Sequence, residues 1–271
     1  MSVPFGHHRL HNRYCFEGKL ILETPLRLSS GRASDKTDAP LMRTRDKVPY
    51  IPGSSLRGAL RSTVERVVAA AGSAQGLRTC TLFSADKDDC NEKAREFQKQ
   101  EEDKRDNAVT DSAKKEKKLA HFAETELCDV CKLFGATIYA SRLIIEDAYP
   151  EPRGKLENKS VVRDGVGIDR DTGTAKETIK FNYEVLESGP KFTLRLQVEN
   201  VTDKDRLLLN LILGLLKQGI HVGGKQAAGL GKIRLEGCKV KGFETARALW
   251  DALTKGEDPH KPLTWREDVR C

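Results

Sequence analysis

The sequence lacks any apolar run long enough to cross a membrane. Its longest candidate, residues 207–216, is interrupted by Asn210 and falls well short of the roughly 18 residues that a span requires. The opening stretch MSVPFGHHRLHNRY has no apolar centre, so it does not read as a secretory signal. Both absences predict a cytoplasmic chain without a membrane partner. No internal repeat is present, and no Ser-His-Asp or Cys-His set stands in a persuasive context. The seven cysteines are an odd number in a chain with no signal segment. A disulfide framework is therefore not expected, and a reducing compartment with a metal site is the better reading. The Gly-rich run GGKQAAGLGK at 223–232 follows a helical pattern and precedes a strand. A dinucleotide fingerprint needs the opposite order, strand and then helix.

The chain has 271 residues, with 47 Lys+Arg against 40 Asp+Glu, a formal charge of +7 and a pI near 9.0. This length suits one large domain, or one domain carrying insertions, with a core that needs no disulfide staples. A basic balance favours a polyanionic partner only weakly, because it is often no more than a solvated surface. The location of the charge says more. Residues 27–66 hold nine bases (Arg27, Arg32, Lys36, Arg43, Arg45, Lys47, Arg57, Arg61, Arg66) and four acids, a local +5. Residues 86–120 hold eleven acids and ten bases, a local −1, with few large apolar side chains. That second segment reads as a solvated helical insertion outside the core.

Apolar and polar residues alternate over 14–28, which predicts a strand. Residues 29–50 are loop-like. A helix is expected next, capped by Ser54 or Ser55 after a Pro52-Gly53 turn, with Leu56, Leu60, Val64, Val67 and Ala71 on one face and an end at Gly72 to Gly76. Residues 142–148 read as a buried strand, 150–178 as a long extended hairpin, and 179–187 and 192–198 as two alternating strands. A helix over 203–218 ends at Gly219, a strand covers 232–235, and a short helix covers 245–253. Without its insertions the order is strand, helix, strand, strand, helix, strand, which is the α+β, ferredoxin-like pattern. That order serves many unrelated functions.

Three features can carry chemistry. Cys128 and Cys131 flank two residues on a turn, and Cys80 and Cys90 stand upstream. Four thiolates complete a tetrahedral zinc site, and a metal there would pin both ends of a segment too polar to fold by burial. His121 is a substitute ligand, and the plainer reading is four free or buried cysteines. Second, Gly53 to Leu56 offers backbone N–H groups at a helix start, a seat for phosphate, and Arg57 and Arg61 share one helix face. An ordinary capped helix with a solvated face is the alternative. Third, the glycines of 223–231 permit close approach to a phosphate or to another strand. Asp38, within the basic loop, either balances charge or holds a divalent cation near a ribose 2′-hydroxyl. His7, His8 and His11 read as a frayed terminus before they read as acid–base groups.

These residues together resemble a known family. TDAPLMR (37–43), VPYIPGSSLRGALR (48–61), CKLFG (131–135), SRLIIEDAY (141–149) and GGKQAAGLGKI (223–233) follow the first strand in that order. The set resembles the RAMP superfamily of CRISPR proteins and, more narrowly, the backbone subunit of type III effector complexes. The cysteines and the charged insertion are similar to the zinc-carrying, type III-D-like and single-chain relatives. The resemblance implies a single domain over 1–271 with a modified RNA-recognition core, a zinc-bound insertion at 77–135 and a β-hairpin thumb within 150–185. It implies CRISPR RNA, complementary target RNA and neighbouring effector subunits, RAMP copies among them, as partners. Arg32, Lys36, Arg43, Arg45, Ser54, Ser55, Arg57, Arg61, Arg163, Arg170, Lys225 and Gln226 are the implied RNA contacts. Asp38, with Asp35 as near alternative, is the implied catalytic residue, working with Mg2+ or Mn2+ on target RNA. Two rival roles stay open: a guide-binding subunit without catalysis, and a nuclease that processes precursor guide RNA.

Overall fold

The computed structural model describes residues 7–29, 31, 37–80, 89–103, 112–152, 156 and 159–265. Its elements in chain order are β1 (Arg13–Leu22), α1 (Gly53–Ala71), α2 (Cys90–Asp103), α3 (Ser112–Thr125), α4 (Asp129–Phe134), β2 (Leu143–Ile145), β3 (Pro150–Glu151), β4 (Ser160–Ile168), β5 (Ala175–Leu186), β6 (Lys191–Glu199), α5 (Asp203–Gln218), β7 (Ile220–His221), β8 (Lys232–Phe243), α6 (Ala246–Thr254) and β9 (Lys261–Pro262).

The main sheet runs β2-β6-β1-β8-β7, and its neighbours are antiparallel. Helix α1 connects β1 to β2, and α5 connects β6 to β8. This is the βαββαβ order expected, with strands in the sequence 2-3-1-4 across the sheet. Alternation decides which face is buried. Tyr14, Phe16, Leu20 and Leu22 of β1 and Phe192, Leu194, Leu196 and Val198 of β6 face the helices. Leu56, Leu60 and Val64 of α1 and Leu208, Ile212 and Leu216 of α5 close the core from that side.

The other face of the sheet is a lattice of ion pairs. Arg13–Glu199, Lys191–Glu236, Lys241–Glu17 and Arg234–Glu23 lie between 2.6 and 3.0 Å. RNA-recognition folds usually stack bases on aromatic rings on this face; here its strands present paired charges. The phase of β8 changes at a bulge opposite Gly18/Lys19, where Gly237 is the extra residue with φ 60°. A Cβ on Gly18 would meet the Gly237 carbonyl oxygen at 2.4 Å, so glycine is required there. The bulge also lets β8 run on to Phe243, past the expected end at 235.

Several boundaries differ from expectation for identifiable reasons. β1 stops at Leu22, and Leu26 rejoins only as an isolated bridge to Leu186; Pro25 lies between them and has no N–H to pair. α1 buries Val68 rather than Val67 or Ala71, because its apolar face repeats every four residues from Leu56. Neither Ser54 nor Ser55 caps α1: Pro52 holds the N-cap, and Asp147 Oδ1 accepts from the Gly53 N–H at 2.8 Å. The strand expected over 142–148 has only three paired residues, with a separate bridge from Ala148 to Ile51.

The largest difference concerns 179–187. It is not a strand of the main sheet. It is the second half of β5, which pairs only with β4 in a separate two-stranded sheet. The hairpin therefore runs to Leu186: the residue pattern ended it at 178, whereas the resemblance set the thumb within 150–185. It leaves the core between β2 and β6, and among its described residues burial is confined to the root, at Tyr183, Val185 and Leu186. The charged insertion also reaches further inward than expected. Cys90, Ala94 and Ala123 are buried, and Phe97 and Phe122 stack at 4.5 Å between α2 and α3. No helix among the described residues is long and apolar enough to cross a membrane.

Candidate nucleic-acid interface and metal centre

Asp38 lies on the free edge of the hairpin root. Its backbone N–H donates to Asn182 Oδ1 at 2.8 Å, and its Oδ2 accepts from the Asn182 N–H at 2.9 Å. The side chain is exposed. Among the described residues Asp38 makes no ion pair, and its Oδ1 has no hydrogen bond. Pairing with Arg43 or Arg45, the plain reading of this carboxylate, is not what the structure holds. Arg43 turns to Glu184 Oε1 at 2.6 Å and to Ser160 Oγ at 2.9 Å, spanning both arms of the hairpin. Glu184 is further tied by the Leu41 N–H at 2.9 Å. Burial pushes the Glu184 carboxyl up, but the bonds from Ser160, Leu41 and Arg43 prevail and hold it below its ordinary value. Arg45 is exposed. Arg32, Lys36 and Asp35 lie outside the described residues.

The Gly-rich loop docks against the same root. Gly223 would press a Cβ to 2.2 Å from the Arg27 carbonyl oxygen, and Gly231 one to 2.0 Å from that of Val222. The close approach is therefore to the protein's own backbone. Lys225 has φ 58°, and its Nζ stands 4.5 Å from the Phe181 ring and 4.7 Å from the Tyr183 ring. Arg27 shares this aromatic pair, 5.1 Å from the Tyr183 ring. Its Nε is buried with no hydrogen-bond partner, and Arg27 forms no ion pair among the described residues. Two cations on one aromatic pair, with no carboxylate paired to either among the described residues, make a place for an anion. Gln226 is exposed and donates to the Gly223 carbonyl at 3.1 Å. Arg163 and Arg170 are exposed on β4 and at the hairpin tip, where Asp169 Oδ1 accepts the N–H groups of Asp171 and Thr172. Arg27, Phe181, Tyr183 and Asn182 were not singled out from the sequence. The i,i+2 aromatic pair on a strand was the available signal, and nothing local linked it to Arg27.

The start of α1 is less open than its sequence suggests. The Gly53 N–H is taken by Asp147, and those of Ser55 and Leu56 go to Pro52 O. Ser54 is exposed. Arg57 and Arg61 share a face, but that face meets α4. Arg57 donates to the Phe134 carbonyl. Arg61 donates to Gly135 O at 3.0 Å and to Cys131 Sγ at 3.2 Å, and pairs with Glu65 at 2.8 Å.

Cys80, Cys90, Cys128 and Cys131 converge, all buried, with their sulfurs within 4.8 Å of one another. The Cys80 and Cys131 sulfurs stand 3.5 Å apart. Cys128 caps α4 by accepting from the Cys131 N–H at 3.3 Å. The Cys128 N–H in turn donates to Cys90 Sγ at 3.2 Å. Hydrogen bonding to Cys128, then to Cys80 and Cys90, pushes the Cys131 thiol far up. Hydrogen bonds from Cys128 and Cys131 pull Cys90 down. Four sulfurs in one small buried volume, with backbone N–H donors around them, fit a tetrahedral metal. His121 is not in the group. His7 packs on Tyr139 at 4.9 Å and bonds Ala140 O, while the His11 N–H donates to Asn200 Oδ1.

The antiparallel 2-3-1-4 sheet, the hairpin leaving it between β2 and β6, and the Gly-rich loop at its root define the architecture of an RNA-recognition-like core with a projecting hairpin. Residues 19–234 match the RAMP superfamily model, and the chain belongs to that family. It is similar to the CRISPR system Cms endoribonuclease Csm3 of Methanocaldococcus jannaschii, with 26% identity over 243 residues, covering 85% of this chain and 82% of the relative.

Proposed function

We propose that this protein is a CRISPR RNA-binding backbone subunit of a type III effector complex and that it cuts complementary target RNA through Asp38. The observation that carries this reading is one exposed carboxylate, without an ion pair among the described residues, bonded to Asn182 at the root of a projecting hairpin whose Phe181 and Tyr183 rings carry the cations Lys225 and Arg27. Family membership and the likeness to an endoribonuclease support it. Arg27, Arg45 and Lys225 hold guide phosphates near the hairpin root, and Arg163 and Arg170 reach the duplex from its arm and tip. The hairpin is the thumb. Its exposed Val162, Val166 and Ile168 wedge between bases and unstack them locally. Unstacking frees a target ribose to rotate until its 2′-hydroxyl lies in line with the scissile P–O5′ bond. Attack then leaves a 2′,3′-cyclic phosphate and a 5′-hydroxyl, and geometry supplies most of the acceleration. A divalent cation, Mg2+ or Mn2+, held by Asp38 would offset charge on the phosphate. The cysteine quartet holds a structural Zn2+ that anchors the insertion over 77–135. Lower-ranked readings are binding without cutting and processing of precursor guide RNA.

The test uses the assembled complex, its guide and end-labelled complementary RNA, with and without Mg2+. Regularly spaced fragments are expected only with Mg2+. Asp38→Ala is expected to leave target affinity within about twofold and to abolish fragments. Fragments that persist in Asp38→Ala refute the assignment, and an intact target with wild-type protein supports the binding-only role.

A further inference from the structure

A carboxylate on an exposed loop samples many orientations unless something holds it. Asp38 is held by one residue of the hairpin, through two bonds that close a ring. The Asn182 amide oxygen accepts from the Asp38 N–H at 2.8 Å, and the Asn182 N–H donates to Asp38 Oδ2 at 2.9 Å. The first bond fixes the loop backbone, and the second fixes the side-chain torsions. The donor N–H of Asp38 also settles which amide atom faces it. Asp38 Oδ1 is left facing outward.

The support behind Asn182 is continuous with the thumb. Its other strand edge pairs with Asp164 of β4. Two residues on, the Glu184 N–H donates to Ala39 O at 3.0 Å, and its carboxylate takes the Leu41 N–H and the Arg43 guanidinium. Residues 38–43 are thus registered against β5 at successive points, and Asp38 is tied to the hairpin as well as to its own loop.

We infer that Asn182 is a positioning residue for target cutting: it locks the Asp38 carboxylate to the thumb, so that the cut falls at a fixed offset from the wedge. This rests on the reading of Asp38 given above. Only the side-chain oxygen is specific to the residue, since any residue but proline supplies the N–H. Alanine therefore removes one bond of the two, and aspartate keeps an acceptor in place.

The test compares Asn182→Ala, Asn182→Asp and Asp38→Ala in the assembled complex, measuring target affinity, cutting rate, Mg2+ dependence and fragment ends. Asn182→Ala is expected to keep target affinity, slow cutting about tenfold, raise the half-saturating Mg2+ concentration several-fold and scatter the fragment ends over neighbouring phosphates. Asn182→Asp is expected to restore the fragment ends. If Asn182→Ala instead loses assembly or target affinity with sharp fragment ends and unchanged Mg2+ dependence, the role is structural and the inference falls. An inert Asp38→Ala beside an Asn182→Ala that cuts like wild type overturns this inference alone. An Asp38→Ala that still cuts overturns the functional reading, and this inference with it.

Discussion

Arg142 is only 3% exposed, and its guanidinium forks onto both oxygens of Asp205 at 2.7 and 2.8 Å. The same carboxylate completes a capping box with Thr202 at the start of α5. One ion pair thus joins the β2 edge to the helix that covers the sheet. Arg142→Met would leave Asp205 buried without its partner. The expected cost is about 3–5 kcal/mol, read as a shift in the urea midpoint of the isolated subunit; a loss under about 1 kcal/mol would show that Lys204 or water takes over. Other arginines divide in the same way by what they reach. Arg43 braces the hairpin root, Arg57 and Arg61 reach into α4, and Arg27 lies over the Tyr183 ring without an ion pair among the described residues. In the sequence these residues are equivalent units of charge, and only pairing separates them.

At the scale of elements, the hairpin shows why one strand was misplaced. An alternating run such as residues 179–187 looks the same whether it packs on a sheet or stands in a free ribbon. The partner decides, and here the partner is β4. Phe181 lies across Gly165 on that partner, where a Cβ would come within 2.3 Å of the ring; a glycine opposite an aromatic is a pairing signal that was present but weak. Beyond Tyr183 the ribbon contributes little to the core. Replacing residues 163–180 by a short Gly-Ser turn is therefore expected to lower the melting temperature of the subunit by no more than a few degrees. In the assembled complex, guide binding should persist while the regular spacing of target fragments is lost. Regular fragments from the trimmed protein would remove the hairpin from the mechanism. The helices were more legible. α5 ends at Gly219 with φ 99°, as its stop signal indicated, because a left-handed residue after an apolar face is a local property.

At the scale of the molecule, the insertion and the core are joined at the cysteines. Leu127, Val130, Leu133 and Phe134 beside them are buried in the main core, while among the described residues of α2 and α3 beyond them burial is confined to little more than Ala94, Ala123 and one ring pair. Metal removal should therefore act unevenly. Purified protein is expected to carry one zinc per chain by atomic spectroscopy. Chelation should make 89–125 sensitive to protease and lower the melting temperature, while the sheet stays folded by circular dichroism. A metal-free preparation with the same melting temperature and protease resistance would refute a structural zinc. By itself the sequence determined the order of the core elements, the glycine stops of α1 and α5 and the four cysteines that could hold a metal, because alternation, stop signals and rare residue types act over a few neighbours. Only the tertiary structure decided that the alternating run 179–186 pairs with β4 and not with the main sheet, that Arg57 and Arg61 turn inward, and that Asn182 grips Asp38. Each of those outcomes depends on contact between residues far apart in the chain, and local pattern does not specify which distant partner a strand edge or a guanidinium meets.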